Sequence, residues 1–95
     1  MDRIERIRIM EEKFTAAAAA VRELERALDA YLDAQEDLCA LEDYLAGDER
    51  RGDLAADEAG LLPAELRRGV LSEDGVYDLL TENDALRARL RELGV

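Results

Sequence analysis

The sequence predicts an all-α fold. Three observations carry that prediction. From Met1 to Ala46 there is neither Gly nor Pro, and the stretch is dominated by the good helix formers Ala, Glu, Leu and Arg. Its apolar residues recur at spacings of three and four, the signature of an amphipathic helix. A second such segment begins near Ser72 and runs to the end of the chain.

The first helix is expected to span residues 1–46. With Ile7 as heptad position a, the a positions are Ile7, Phe14, Val21, Leu28 and Gln35, and the d positions are Met10, Ala17, Leu24, Tyr31 and Leu38. That is a coiled-coil-like seam with one polar break, at Gln35. Small or apolar residues at the flanking positions (Ala18, Ala20, Ala27, Leu32) widen the stripe to that of a globular bundle. Thr15, followed by five alanines, is the one place where the helix could bend.

Residues 47–71 read as a loop with short helices, because Gly47, Gly52, Gly60, Pro63 and Gly69 all fall there. A short helix is expected around Asp53–Ala59. Another is expected from Pro63, which suits a first helical position, to Arg68, with Gly69 as its stop. The last helix is expected over residues 72–93, with Ser72 as N-cap and Glu73 and Asp74 in the first turn. Its seam would run Val76, Leu79, Asn83, Leu86, Leu90 and Leu93, and its late arginines, Arg87, Arg89 and Arg91, favour the C-terminal end. The connecting length lets this helix pack antiparallel on the first, giving a helical hairpin or small bundle in a single domain of 95 residues. Tyr77 is expected to pack beneath the Gly69 bend.

Composition narrows the function. The chain has no His, which removes the commonest general base and metal ligand together. A single cysteine, Cys39, can form neither an internal disulfide nor a thiolate zinc cluster. Residues 27–46 hold no base that would activate its thiol. The charged N-terminus shows no secretory pattern, and no apolar run approaches the ~20 residues of a membrane span. These features predict a cytoplasmic, non-enzymatic protein without cofactor or metal. The net charge of -11 argues against direct contact with nucleic acid or an anionic membrane.

The charge is unevenly placed. Residues 1–26 are balanced, with six acids and six bases, whereas residues 27–46 hold six acids and no base. A C-terminal helix half the length of the first would leave Ile4, Ile7, Met10, Phe14, Ala17, Val21 and Leu24 without a partner. Such a stripe is covered by folding back at Thr15, by segment 47–71, or by a second chain. A homodimer through residues 4–24 is the favoured arrangement, and the balanced charge there suits self-association. Asp29, Asp33, Glu36, Asp37 and Asp43 form a candidate surface for a basic partner. The leading expectation is therefore a protein–protein interaction module. The alternative is an acidic inhibitor or regulator that occupies the basic nucleic-acid-binding surface of another protein.

Other candidates have simpler readings. Arg67-Arg68-Gly69 ahead of a helix could bind an anion, but Glu73 and Asp74 already hold that helix start, and pairing of both arginines with nearby acids is the simpler account. Asp53, Asp57 and Glu58, or Glu42, Asp43, Asp48 and Glu49, lack the spacing of a calcium loop and read as solvated charge.

From Asp57 the chain reads Asp-Glu-Ala-Gly-Leu-Leu-Pro-Ala-Glu-Leu-Arg-Arg-Gly-Val-Leu-Ser-Glu-Asp-Gly-Val-Tyr-Asp-Leu-Leu. This resembles a family of short bacterial proteins known as a domain of unknown function (family 4298). Its most specific part is the turn motif Pro63, Arg67, Arg68, Gly69, Ser72, Asp74, Gly75 and Tyr77. The resemblance covers nearly the whole chain and implies a stand-alone cytoplasmic bacterial protein. It brings no activity, cofactor or catalytic residue.

Overall fold

A computed structural model describes residues 2–94 of the chain. The fold is all-α, with no strand among the described residues. Helix α1 spans Arg3–Asp33, α2 Gln35–Ala46, α3 Asp48–Glu58 and α4 Gly75–Glu92, with a short 3-10 turn at Gly69–Leu71. Two compact units result. One runs to Gln35, and the other starts at Glu36.

In the first unit, Asp2 caps α1 by accepting the Glu5 backbone N–H at 2.7 Å, satisfying one of the four orphan donors of the helix start. The helix continues unbroken through Thr15 and the five alanines. Alanine has the highest helix propensity, so the run sustains the helix. The expected helix over 1–46 is nevertheless not continuous to Ala46. It is interrupted at Ala34 (φ -77°, ψ -5°), whose N–H reaches both Ala30 O and Leu32 O. The cause lies one residue on. Gln35 Nε2 donates to the Tyr31 carbonyl at 3.0 Å. In a regular helix that carbonyl belongs to the Gln35 backbone N–H, so the side chain competes with the helical ladder. The polar break in the heptad seam is thus also where the helix divides.

In the second unit, Leu38, Leu41 and Leu45 of α2, at spacings of three and four, are half-buried. Helix α3 begins five residues earlier than expected and runs through Gly52, with Asp48 and Glu49 in its first turn facing the positive end of the dipole. It ends on Gly60 (φ 72°): the Leu61 N–H reaches Ala56 O and the Gly60 N–H reaches Asp57 O, both at 3.0 Å. That pair of bonds is a Schellman stop, and the left-handed backbone it needs suits glycine.

The helix expected over Pro63–Arg68 is a single turn, closed by the Leu66 N–H on Pro63 O at 3.2 Å. One such bond fixes too few residues to propagate a helix. Gly69 is not a helix stop but the first residue of the 3-10 turn. The last helix starts at Gly75, not Ser72, and Glu73 and Asp74 precede it. Ser72 nevertheless works as a cap, its Oγ accepting the Gly75 N–H at 3.1 Å. At the far end Arg89 and Arg91 occupy the last turn of α4, as their charge favours.

The core of this unit is small. Leu71 and Val76, one on each side of the bend, are its buried apolar residues, 9% and 6% exposed. Tyr77 does not pack beneath the bend but is 61% exposed, because the preceding residue, Val76, points in. The inward row of α4 continues through Leu80, Asn83 and Leu90, while Leu79, Leu86 and Leu93 of the expected seam are exposed. Direct helix contacts within the unit run from α3 to the 3-10 turn and from that turn to α4.

Candidate interaction surfaces

Two features could engage a partner. The first is the apolar stripe of α1. Ile4, Ile7, Met10, Phe14, Val21 and Leu24 retain 54% to 68% of their surface, Ala17 is exposed between them, and α1 buries no residue at all. The helix is ~46 Å long at 1.5 Å per residue, so the stripe is a long ridge. Near its middle, Phe14, Ala17, Ala18, Val21 and Arg22 bound a shallow apolar depression. The two alanines form its floor because their side chains end at Cβ.

The second is the bend of the second unit. Arg50, on α3, donates through Nε to Val70 O (3.3 Å) and through Nη2 to Ser72 O (3.1 Å). One guanidinium thereby holds both sides of Leu71. Arg68 pairs with Asp57 at 2.7 Å, both partly shielded from water. Ser72 Oγ donates to Gly69 O at 2.7 Å while accepting from Gly75 N. Gly75 is obligatory for this closure: a Cβ there would run into Ser72 Oγ and lie 2.9 Å from Gly69 O. The turn motif is therefore a folding device in which Arg68, Gly69, Ser72 and Gly75 interlock. Asp74 precedes α4 without a side-chain bond to it. Pro63 and Arg67 line an open depression with Glu65, Leu66, Gly69 and Val70. Arg67 makes no ion pair among the described residues, so the expected pairing of both arginines holds for Arg68 alone.

The candidate acids are all exposed. Among the described residues, Asp29 and Asp33 pair with no cation of the first unit, nor Glu36, Asp37 and Asp43 with any of the second. Other carboxylates are engaged. Asp53 accepts the Tyr44 hydroxyl at 2.7 Å, and Asp48 pairs with Arg51. The bond to Asp53 raises the Tyr44 phenol above its ordinary pKa of 10.0, since losing the proton would set two anions together. Cys39 is exposed. Among the described residues no cluster of His, Cys, Asp or Glu could hold a metal, and no helix is long and apolar enough to cross a membrane.

Sequence reasoning missed Arg50 and the pairings Tyr44–Asp53 and Arg68–Asp57, whose partners lie 9 to 22 residues apart in the chain, at spacings that only the folded unit sets. The Gly60 stop is local, with bonds three and five residues long.

A family model for a domain of unknown function, DUF4298, matches residues 7–93. The chain belongs to the DUF4298 family. The match covers the α1 stripe from Ile7 onward and the whole of the bend. No curated protein and no solved structure matches the chain.

Proposed function

We propose that this DUF4298 protein is a non-catalytic, cytoplasmic bacterial interaction module that assembles as a homodimer through α1. One observation carries the reading: a 31-residue helix with an apolar ridge buries none of its residues. Burying a Leu, Ile, Val, Phe or Met fully contributes roughly 1.5–3 kcal/mol. Side chains left half to two-thirds exposed therefore hold about 1–2 kcal/mol each in reserve. An apolar ridge of this length marks an association surface. The non-catalytic part of the reading is supported by the chain having no His and by the Ser72 hydroxyl being committed to backbone partners on both sides. Light scattering at low and high salt tests the assembly. A dimer insensitive to salt is expected, and Phe14→Asp should return it to monomer; a wild-type monomer at all concentrations would sink the reading.

The exposed acids of residues 29–43 favour a second reading, an acidic surface that occupies the basic nucleic-acid-binding face of another protein. It predicts binding to a basic peptide probe that weakens steeply with salt and is lost when Asp29, Asp33, Glu36, Asp37 and Asp43 are neutralised together.

A further inference from the structure

We infer that two α1 helices pair antiparallel, with Phe14 of each chain seated in the alanine-floored depression of the other. The inference rests on the homodimer proposed above and fixes its geometry. In paired helices each seam residue is a knob that enters a hole framed by four residues of the facing helix. Phe14, Ala17, Ala18 and Val21 frame such a hole, with small side chains in the middle and large ones at the ends. A hole with that floor needs a large knob.

Pairing direction decides which knob it receives. In a parallel, in-register pair the hole receives the partner's Ala17, which leaves it largely empty, and Phe14 abuts its own copy. In an antiparallel pair it receives the partner's Phe14, whose 68% exposure is the largest among the large apolar side chains of α1. The same register sets Ile7 level with the partner's Leu24 and Met10 level with the partner's Val21, so each large residue finds an apolar neighbour.

Charge agrees with shape. The flanking Lys13 and Arg6 then lie over the partner's Ala20 and Ala27, and no like charges face each other. Antiparallel pairing also lays the arginine-bearing start of α1 (Arg3, Arg6, Arg8) alongside the partner's acidic end (Glu25, Asp29, Asp33). A parallel pair would bring two acidic ends together, whereas the antiparallel one holds Asp29 and the partner's Asp29 ~40 Å apart along the axis, far beyond the ~8 Å Debye length at physiological salt. A parallel pair would gain an ion pair from Arg6 to the partner's Glu11, but an exposed ion pair contributes little.

The test uses the full chain with Cys39→Ser. Ile7→Cys and Leu24→Cys proteins are oxidised separately and as a mixture, and the cross-links are identified by mass spectrometry, with light scattering in parallel. A mixed 7–24 disulfide, with neither protein cross-linking to itself, is the expected result. A dimer in which each protein cross-links to itself would overturn the antiparallel pairing and leave the homodimer standing. A dimer without either cross-link places the interface elsewhere and overturns it too, while a monomer overturns both readings. Ala17→Leu adds an independent arm. It fills the hole, so it should weaken the dimer at least tenfold while helicity stays unchanged; tighter association would instead mark a parallel seam.

Discussion

Gly52 and Gly75 both lie in helices, yet replacing each by alanine should move stability in opposite directions. At Gly52, inside α3, a Cβ meets nothing within 4 Å. The substitution there acts on the conformational freedom of the chain and should stabilise by about 0.5–1 kcal/mol. At Gly75 the same gain is offset by a clash. The new Cβ runs into Ser72 Oγ and lies 2.9 Å from the Gly69 carbonyl. Ser72 must swing away, giving up its bonds to Gly69 O and from Gly75 N. Each such bond contributes about 0.5–1.5 kcal/mol. The net for Gly75→Ala is then a loss of about 1–2 kcal/mol, with the crowded carbonyl adding to it. Thermal unfolding followed by circular dichroism reads this directly, since 1 kcal/mol shifts Tm by roughly 4–8 °C in a chain of this size. Gly52→Ala should raise Tm and Gly75→Ala should lower it. In a Ser72→Ala background the hydroxyl is already gone, so Gly75→Ala should cost less than in the wild type. If Gly75→Ala stabilises as much as Gly52→Ala, the interlocked bend is not what positions α4.

Three further outcomes follow from the same unit. Gly60→Ala should destabilise by about 1–2 kcal/mol, because φ of 72° is left-handed backbone, and Gly60→Asn should lose less; matched denaturant titrations would show the order. Arg50→Met removes both bonds to the bend and should cost about 1–2 kcal/mol, with amide exchange at Leu71 and Ser72 accelerating more than in α2. Tyr44 has a raised pKa in the folded chain, so its bond to Asp53 contributes in full below pH 10 and is lost as pH rises through the folded value. Tyr44→Phe should therefore lose stability at neutral pH and flatten the decline above pH 10, and an unchanged alkaline slope would refute the pairing.

The helical fold was legible because composition and periodicity are local. Residues 1–46 and 72–93 announce their helices, and the apolar ridge from Ile4 to Leu24 is as exposed as its spacing suggested. The boundaries were less legible, because each depends on a competition that pattern alone does not weigh. Gln35 was visible as a polar break in the seam, but its reach for the Tyr31 carbonyl was not. Gly52 looked like a loop residue and sits in α3, since the first-turn acids and the Gly60 stop outweigh one glycine. Ser72 was recognised as a cap, yet α4 starts three residues later because the same hydroxyl also ties back to Gly69 O. Arg50 was out of reach altogether, since its partners are carbonyls, which any residue carries.

The two units should also melt differently. The second has its own core at Leu71 and Val76 and its own clamps, so its unfolding should not depend on protein concentration. Helix α1 has a cap and high propensity but no buried residue. Helical stability in proteins comes mostly from packing an amphipathic face, and isolated helices are marginal in water even with favourable sequences. If α1 packs against a second copy, its helicity becomes a product of association and must follow mass action. With 31 residues α1 is the largest helix in the chain, so it should dominate the signal at 222 nm. Dilution over two orders of magnitude should shift the early part of the melt to lower temperature and leave the later part in place. Phe14→Asp should move the early part to its dilute-limit position at every concentration. A single transition, identical at all concentrations, would mean that α1 is held without a second chain.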